Sequence, residues 1–224
     1  MSYHIDLETY SECDLALGAF RYAEDPSTEI LIAGVARGDE EPLLWVDPRF
    51  HSVLQPSPGV EELLAEVALS DEPIYAHNAQ FEEAVLEQHG APLGLGAIHQ
   101  DRWRCTAAMG RKAGLRSKLA HLSEDLNLDS KKIKTNLVNF FCVPTPAGKR
   151  RMLQDYPDKA RDFAEYCLQD VRAEQEITRR LAPFELKGRS LEVFQFTNRL
   201  NRRGIPVNIP ALRNAQRIIE EVDL

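Results

Sequence analysis

The sequence predicts an α/β domain with a mixed sheet flanked by helices, because a strand-rich opening precedes a helix-rich remainder. Three observations carry this. Residues 3–9 alternate apolar and polar, as a half-buried strand does. EILIAGVA (29–36) is apolar almost throughout, as a central strand covered on both faces is. From Thr106 onward the apolar residues recur at helical spacing.

The elements follow in order. After the first strand, LGAFRYA (17–23) and EILIAGVA read as two further strands. RGDEEP (37–42) is a turn, and LLWV (43–46) is a fourth strand. PSPG (56–59) opens a helix over VEELLAEVAL (60–69). PIYAH (73–77) is a short strand, and Asn78 stands where a helix cap belongs, before AQFEEAVLEQHG with its stop at Gly90. AAMGRKAGL, KLAHLSEDLNL and IKTNLVNFF are short amphipathic pieces, followed by a loop rich in proline and basic residues (141–152). A long helix is expected from about Asp158 to about Leu181, then one over 186–204 ending at Gly204, then a further one after IPVN.

A chain of 224 residues with 43% hydrophobic residues has enough apolar material for a sizeable core. No apolar run is long enough for a membrane span, and MSYHIDLETYSE is too charged for a signal peptide. Cys13, Cys105, Cys142 and Cys167 form no CxxC pair, which fits reduced thiols in a cytoplasmic protein. The scattered histidines argue against a zinc site.

Net charge is −8, but it is unevenly spread. Residues 1–99 carry 3 basic and 19 acidic side chains, whereas residues 100–151 carry 12 basic and 4 acidic. The middle third is a basic island in an acidic protein. It can meet a polyanion that the whole molecule repels, or it is simply a solvated surface. The candidates for a phosphate track are Arg102, Arg104, Arg111, Lys112, Arg116, Lys118, Lys131, Lys132, Lys134, Lys149, Arg150 and Arg151.

The acids raise a sharper question. Asp6 and Glu8 are two apart and share one face of the first strand. Glu82 lies one turn into the helix after Asn78. Tyr166 and Asp170 are four apart on the long helix and share a face. Converging carboxylates repel one another, the more so when buried, unless a cation sits among them. Hard oxygen ligands suit Mg²⁺ or Mn²⁺, and two such ions about 4 Å apart form the clamp used in phosphodiester hydrolysis. Each motif alone has a plainer reading: a strand end, a capped helix, a helix surface. Their order on one apolar scaffold is what points to a site.

IDLET, NAQFE and YCLQD together resemble the three motifs of the proofreading 3′→5′ exonuclease domain of family A, DNA polymerase I-like enzymes in the form that phage polymerases carry. These belong to the DEDD exonucleases on a ribonuclease H-like fold. Glu at position 165 rules out the subgroup with His five residues before the aspartate, so the chain resembles the tyrosine form. The resemblance covers roughly residues 3–182. It implies an exonuclease domain over 1–182 and a helical linker over 183–224, where NRRGIPVN resembles the entry into a polymerase domain.

What the resemblance implies is specific. Asp6, Glu8, Glu82 and Asp170 hold two divalent ions, and Tyr166 orients the attacking water. Thr9 and Phe81 contact the substrate, a single-stranded DNA 3′ end, which Arg111, Lys112 and Lys118 grip through its backbone. Asn78 either positions the terminal nucleotide or caps its helix. The product is a nucleoside 5′-monophosphate, and a polymerase domain in the same chain is the expected partner. The second motif ends in Glu82 where the family has Asp, one methylene longer. Two alternatives stand beside this: an exoribonuclease of the same superfamily, and a catalytically weakened single-strand-binding domain that braces a polymerase.

Overall fold

A computed structural model of the chain describes residues 1–96, 98–129 and 136–222. It contains a five-stranded mixed sheet in the order β3-β2-β1-β4-β5. The strands are β1 (Tyr3–Tyr10), β2 (Glu29–Arg37), β3 (Leu43–Val46), β4 (Ile74–Ala76) and β5 (Trp103–Cys105). β1, β2 and β3 pair antiparallel, and β4 and β5 then add parallel to β1. Three antiparallel strands extended by parallel ones, with helices alongside, are the ribonuclease H-like arrangement. The sheet is flanked by α1 (Ala19–Ala23), α2 (Val60–Leu69), α3 (Gln80–His89), α4 (Thr106–Lys112), α5 (Leu119–Asp125), α6 (Leu137–Phe141) and α7 (Pro157–Arg180). α8 (Arg189–Arg203) and α9 (Ile209–Val222) follow.

The chain divides into two compact units, Met1–Lys187 and Gly188–Leu224. The first holds the sheet and the core. The second consists of α8 and α9, and no residue of either helix is buried. No helix of the described residues is long and apolar enough to cross a membrane.

Helix α7 organises the site. Its buried residues include Ala160, Phe163, Ala164, Cys167, Asp170, Val171, Glu174 and Ile177, a single stripe at helical spacing. The stripe lies on β1 and β2. Gly34 of β2 lets it come close: a Cβ there would sit 2.7 Å from Val171 Cγ2, 3.3 Å from Cys167 Sγ and 3.4 Å from the Cys167 carbonyl oxygen. Gly34 is paired with Asp6 of β1. This close approach of helix and sheet therefore falls beside the first of the candidate acids.

Two expectations are corrected. LGAFRYA is not a strand: Leu15–Leu17 make one tight helical turn and α1 begins at Ala19. Its aromatic side chains serve a short helix, with Tyr22 buried, and the run of apolar residues has no period-2 partner to pair with. Asn78 does not cap α3. It takes a left-handed conformation (φ 72), which Asn tolerates better than other side chains, and its carbonyl accepts the Phe81 N–H at 2.8 Å. The cap position falls to Ala79, without a side-chain bond. The strand β5, three residues long, gives too short a pattern to read from sequence. Lys131, Lys132 and Lys134 lie outside the described residues.

Gly34→Val is expected to lower stability by about 1–3 kcal/mol, the usual cost of overpacking. At about 2–4 °C per kcal/mol for a chain of this size, a thermal melt reads it directly. A wild-type melting temperature in that variant would show that the α7 contact at Gly34 is looser than the geometry indicates.

Candidate active site

His4, Asp6 and Glu8 are alternate residues of β1 and share one face. Tyr166, Asp170 and Glu174 are successive four-residue steps on α7 and share another. The two faces meet in antiparallel order. His4 Nδ1 and Glu174 Oε1 are 2.8 Å apart. At the next step, ligand oxygens of Asp6, Glu8 and Asp170 all lie within 4.8 Å of one another. Tyr166 completes the row, with its hydroxyl donating to the Asp170 carboxylate.

This grouping stands at the floor of a cleft of about 600 Å³. Thr9, Tyr22, Phe81, Tyr166 and the three acids line it, with Leu15, Val138, Val143 and Pro144 as apolar walls. Thr9 is held by a 2.7 Å hydrogen bond to the Tyr22 hydroxyl, and Tyr22 and Phe81 rings pack at 5.5 Å.

Burial dominates the electrostatics. Glu8 and Asp170 are 6% and 3% exposed. Burial raises the Tyr166 hydroxyl far above its usual range, and Asp170, Glu8 and Asp6 add to the shift. A phenol there stays protonated at neutral pH and donates. Burial lifts the Cys142 thiol as well, and Glu8, 3.7 Å away, lifts it further. His4 and Glu174 are both almost fully enclosed. Burial holds the imidazole down at about 4 and pushes the Glu174 carboxyl well up. Both shifts favour the neutral form of each partner.

Glu82 stands apart. It is 4% exposed, lies outside the 4.8 Å group and does not line the cleft. Burial first, and then the Asp6 charge, raise its carboxyl well above the usual range. Its Oε2 is buried and accepts no hydrogen bond. Asn78 is exposed and outside the cleft lining.

The basic island is largely committed within the fold. Arg102, placed in the phosphate track, is instead buried, donating to the Glu72 and Val67 carbonyls at 2.9 Å each. Arg104 donates to the carbonyls of Asp101 and Trp103, and Arg116 pairs with Asp125. Arg150 pairs with Glu29 and covers the Tyr10 ring, while Arg151 covers Phe140. Arg111, Lys112 and Lys118 are exposed but do not line the cleft, and Lys112 donates to the Glu185 carbonyl at 2.8 Å. Net charge counts these cations equally, and spacing does not reveal their partners.

His4, Tyr22, Cys142 and Glu174 were not among the residues singled out from sequence. For Glu174 a signal existed: it falls on the same stripe as Asp170, one turn on.

The Glu82 environment has a consequence for stability. A carboxyl whose folded pKa lies above its unfolded value binds more protons when folded, so it destabilises increasingly as pH rises above about 4.5. Glu82→Gln, measured in chelator, is expected to melt higher than wild type, by about 2–4 °C for each kcal/mol relieved. The gap should widen between pH 5 and pH 7, a window set by that raised value. A gap that is constant or closes over this range contradicts a strained, buried Glu82.

No protein-family model matches the chain. It is 30% identical over 220 residues to the DNA polymerase of Bacillus phage SP02, taking in 94% of this chain and 32% of that protein. The chain thus spans about a third of the length of that relative. Among solved structures, it overlays the family B DNA polymerase of the archaeon Pyrobaculum calidifontis with a TM-score of 0.53 and 16% identity, over 87% of this chain and 26% of that one. NrnC of Brucella melitensis overlays with a TM-score of 0.48 and 17% identity, over 86% of this chain and 74% of that one. The chain is thus similar to part of a phage DNA polymerase, and its sheet has the ribonuclease H-like order.

Proposed function

We propose that the chain is a metal-dependent 3′→5′ exonuclease that trims single-stranded DNA ends to nucleoside 5′-monophosphates. Its setting is proofreading within a phage-type, family A DNA polymerase. The observation that carries this is the convergence of Asp6, Glu8 and Asp170 within 4.8 Å, beside Tyr166, on the floor of an open cleft. Such a cluster has little reason to persist in a protein without a cation to relieve it.

The residues fit divalent ions. The donors are carboxylate oxygens, which suit Mg²⁺ or Mn²⁺ and not softer metals. Asp6, Glu8 and Asp170 would hold one ion, and Asp6 with Glu82 a second, toward which the buried Oε2 of Glu82 has an open acceptor position. When bound, a pair of this kind lowers the pKa of a water and balances charge on the attacking and leaving oxygens of phosphoryl displacement.

The protein supplies the remainder. Tyr166 orients the attacking water when its retained hydroxyl proton turns from the Asp170 carboxylate to that water. Glu8, on the same floor, accepts from that water. Thr9, Tyr22 and Phe81 with the apolar walls receive the terminal nucleotide by its faces, which needs no sequence. Arg111, Lys112 and Lys118, exposed and outside the cleft lining, contact the phosphates upstream. Residues 1–182 form the exonuclease domain and 183–224 the helical passage toward a polymerase domain in cis.

A 3′-labelled single strand incubated with Mg²⁺, Mn²⁺ or chelator tests this. Release of labelled mononucleotide with either metal and none with chelator is expected, and faster release from DNA than from a matched RNA. The reverse preference would make the enzyme an exoribonuclease, and no release under any condition would leave only strand binding. Asp6→Ala and Asp170→Ala should each lose more than the roughly 10–100-fold typical of outer-shell changes at a metal site, with unchanged circular dichroism. Activity within tenfold of wild type in either would remove the assignment. Tyr166→Phe should slow release by on the order of 10²-fold and spare strand binding.

A further inference from the structure

Glu174 belongs to none of the three acidic motifs, yet it touches all the segments that carry them. It lies on α7 one turn beyond Asp170 and is 2% exposed. Its Oε1 is 2.8 Å from Nδ1 of His4, which precedes Asp6 by two residues on β1. The His77 backbone N–H donates to the same carboxyl. His77 stands just after β4 and leads through the left-handed Asn78 into α3, whose first turn carries Glu82.

Each arm of this bridge is itself fixed. The His4 ring stacks on Tyr75 of β4 at 5.3 Å, 18° from parallel. The His77 ring is 2.9 Å from Thr106 Oγ1 and 2.9 Å from the Ser117 carbonyl. The entry to α3, by contrast, has no side-chain cap.

Resting on the metal-dependent reading above, we infer that Glu174 is a positioning residue: by bridging His4 and the His77 backbone it sets the distance of Glu82 from Asp6 and Asp170. Glu82 lies outside the tight acidic group, so its use as a ligand depends on how closely the β4–α3 turn is drawn in. Displacements of about 1 Å at such supports are enough to disable a site.

The inference separates reach from charge. Gln at 174 keeps the length, donating to His4 Nδ1 and accepting from the His77 N–H. Asp keeps the acid and falls short by one methylene. The experiment is a Mn²⁺ titration followed by electron paramagnetic resonance, without nucleic acid, on wild type, Glu174→Gln, Glu174→Asp and Glu174→Leu, each checked by thermal melting. Two ions are expected in wild type and in Glu174→Gln. In Glu174→Asp and Glu174→Leu one ion should be retained, and the second weakened by about 10–100-fold, as for an outer-shell partner. If Glu174→Leu does not fold, the order of Gln and Asp decides.

Two ions at wild-type affinity in Glu174→Asp or Glu174→Leu, or loss in Gln but not in Asp, would overturn the inference alone. Loss of both ions together in Glu174→Asp would overturn it too, since that marks collapse of the whole cluster. A wild type that binds one ion removes the Glu82 site and this inference with it. A wild type that binds none removes the metal-dependent reading itself.

Discussion

The site depends on how closely α7 can lie against the sheet at Gly34. The pairing of Gly34 with Asp6 puts the missing side chain beside the acid it serves. With the helix this close, its buried stripe continues without a break from Phe163 and Cys167 to Asp170 and Glu174. The apolar part of the stripe supplies the packing, and the polar part is carried into the interior by it. Carboxylates that would otherwise turn to water are held facing β1 because the same helix cannot rotate without exposing Phe163, Val171 and Ile177.

What is held in this way is unfavourable on its own terms. Three acids share a few ångströms, and Glu82 is buried with an acceptor position open. Local rules of stability are broken here, inside a described core made mostly of closely packed aliphatic and aromatic side chains. Such violations are where function is expected. The polar row also grades along its length. At one end His4 and Glu174 settle as a neutral pair, and at the other Tyr166 is kept as a proton donor. One strand–helix contact thus supplies a structural anchor, an acidic floor and a donor in sequence.

Much of this was legible in the residues. Asp6 and Glu8 alternate on a strand, and Tyr166 and Asp170 are a helix turn apart, so local periodicity alone assigns each pair a common face. The long helix and the 60–69 helix follow from apolar spacing that tertiary contacts only reinforce. LGAFRYA failed because a short apolar run has no period to read, and Asn78 failed because cap and left-handed turn draw on the same side-chain chemistry. The basic island misled in part because composition does not say which guanidinium finds a carbonyl: Arg102 ended inside the domain.

The chain's own order of residues determined the class of fold, the element pattern and the identity of the acids, since each follows from periods of two or of about 3.6 within a single segment. Only the tertiary structure decided which segments face one another. The meeting of β1 with α7, the withdrawal of Glu82 from the tight group, and the bridge from Glu174 to His4 and His77 join residues up to 170 positions apart. Their geometry is set by side-chain volume at Gly34 and by burial, quantities that exist only once the helix lies on the sheet.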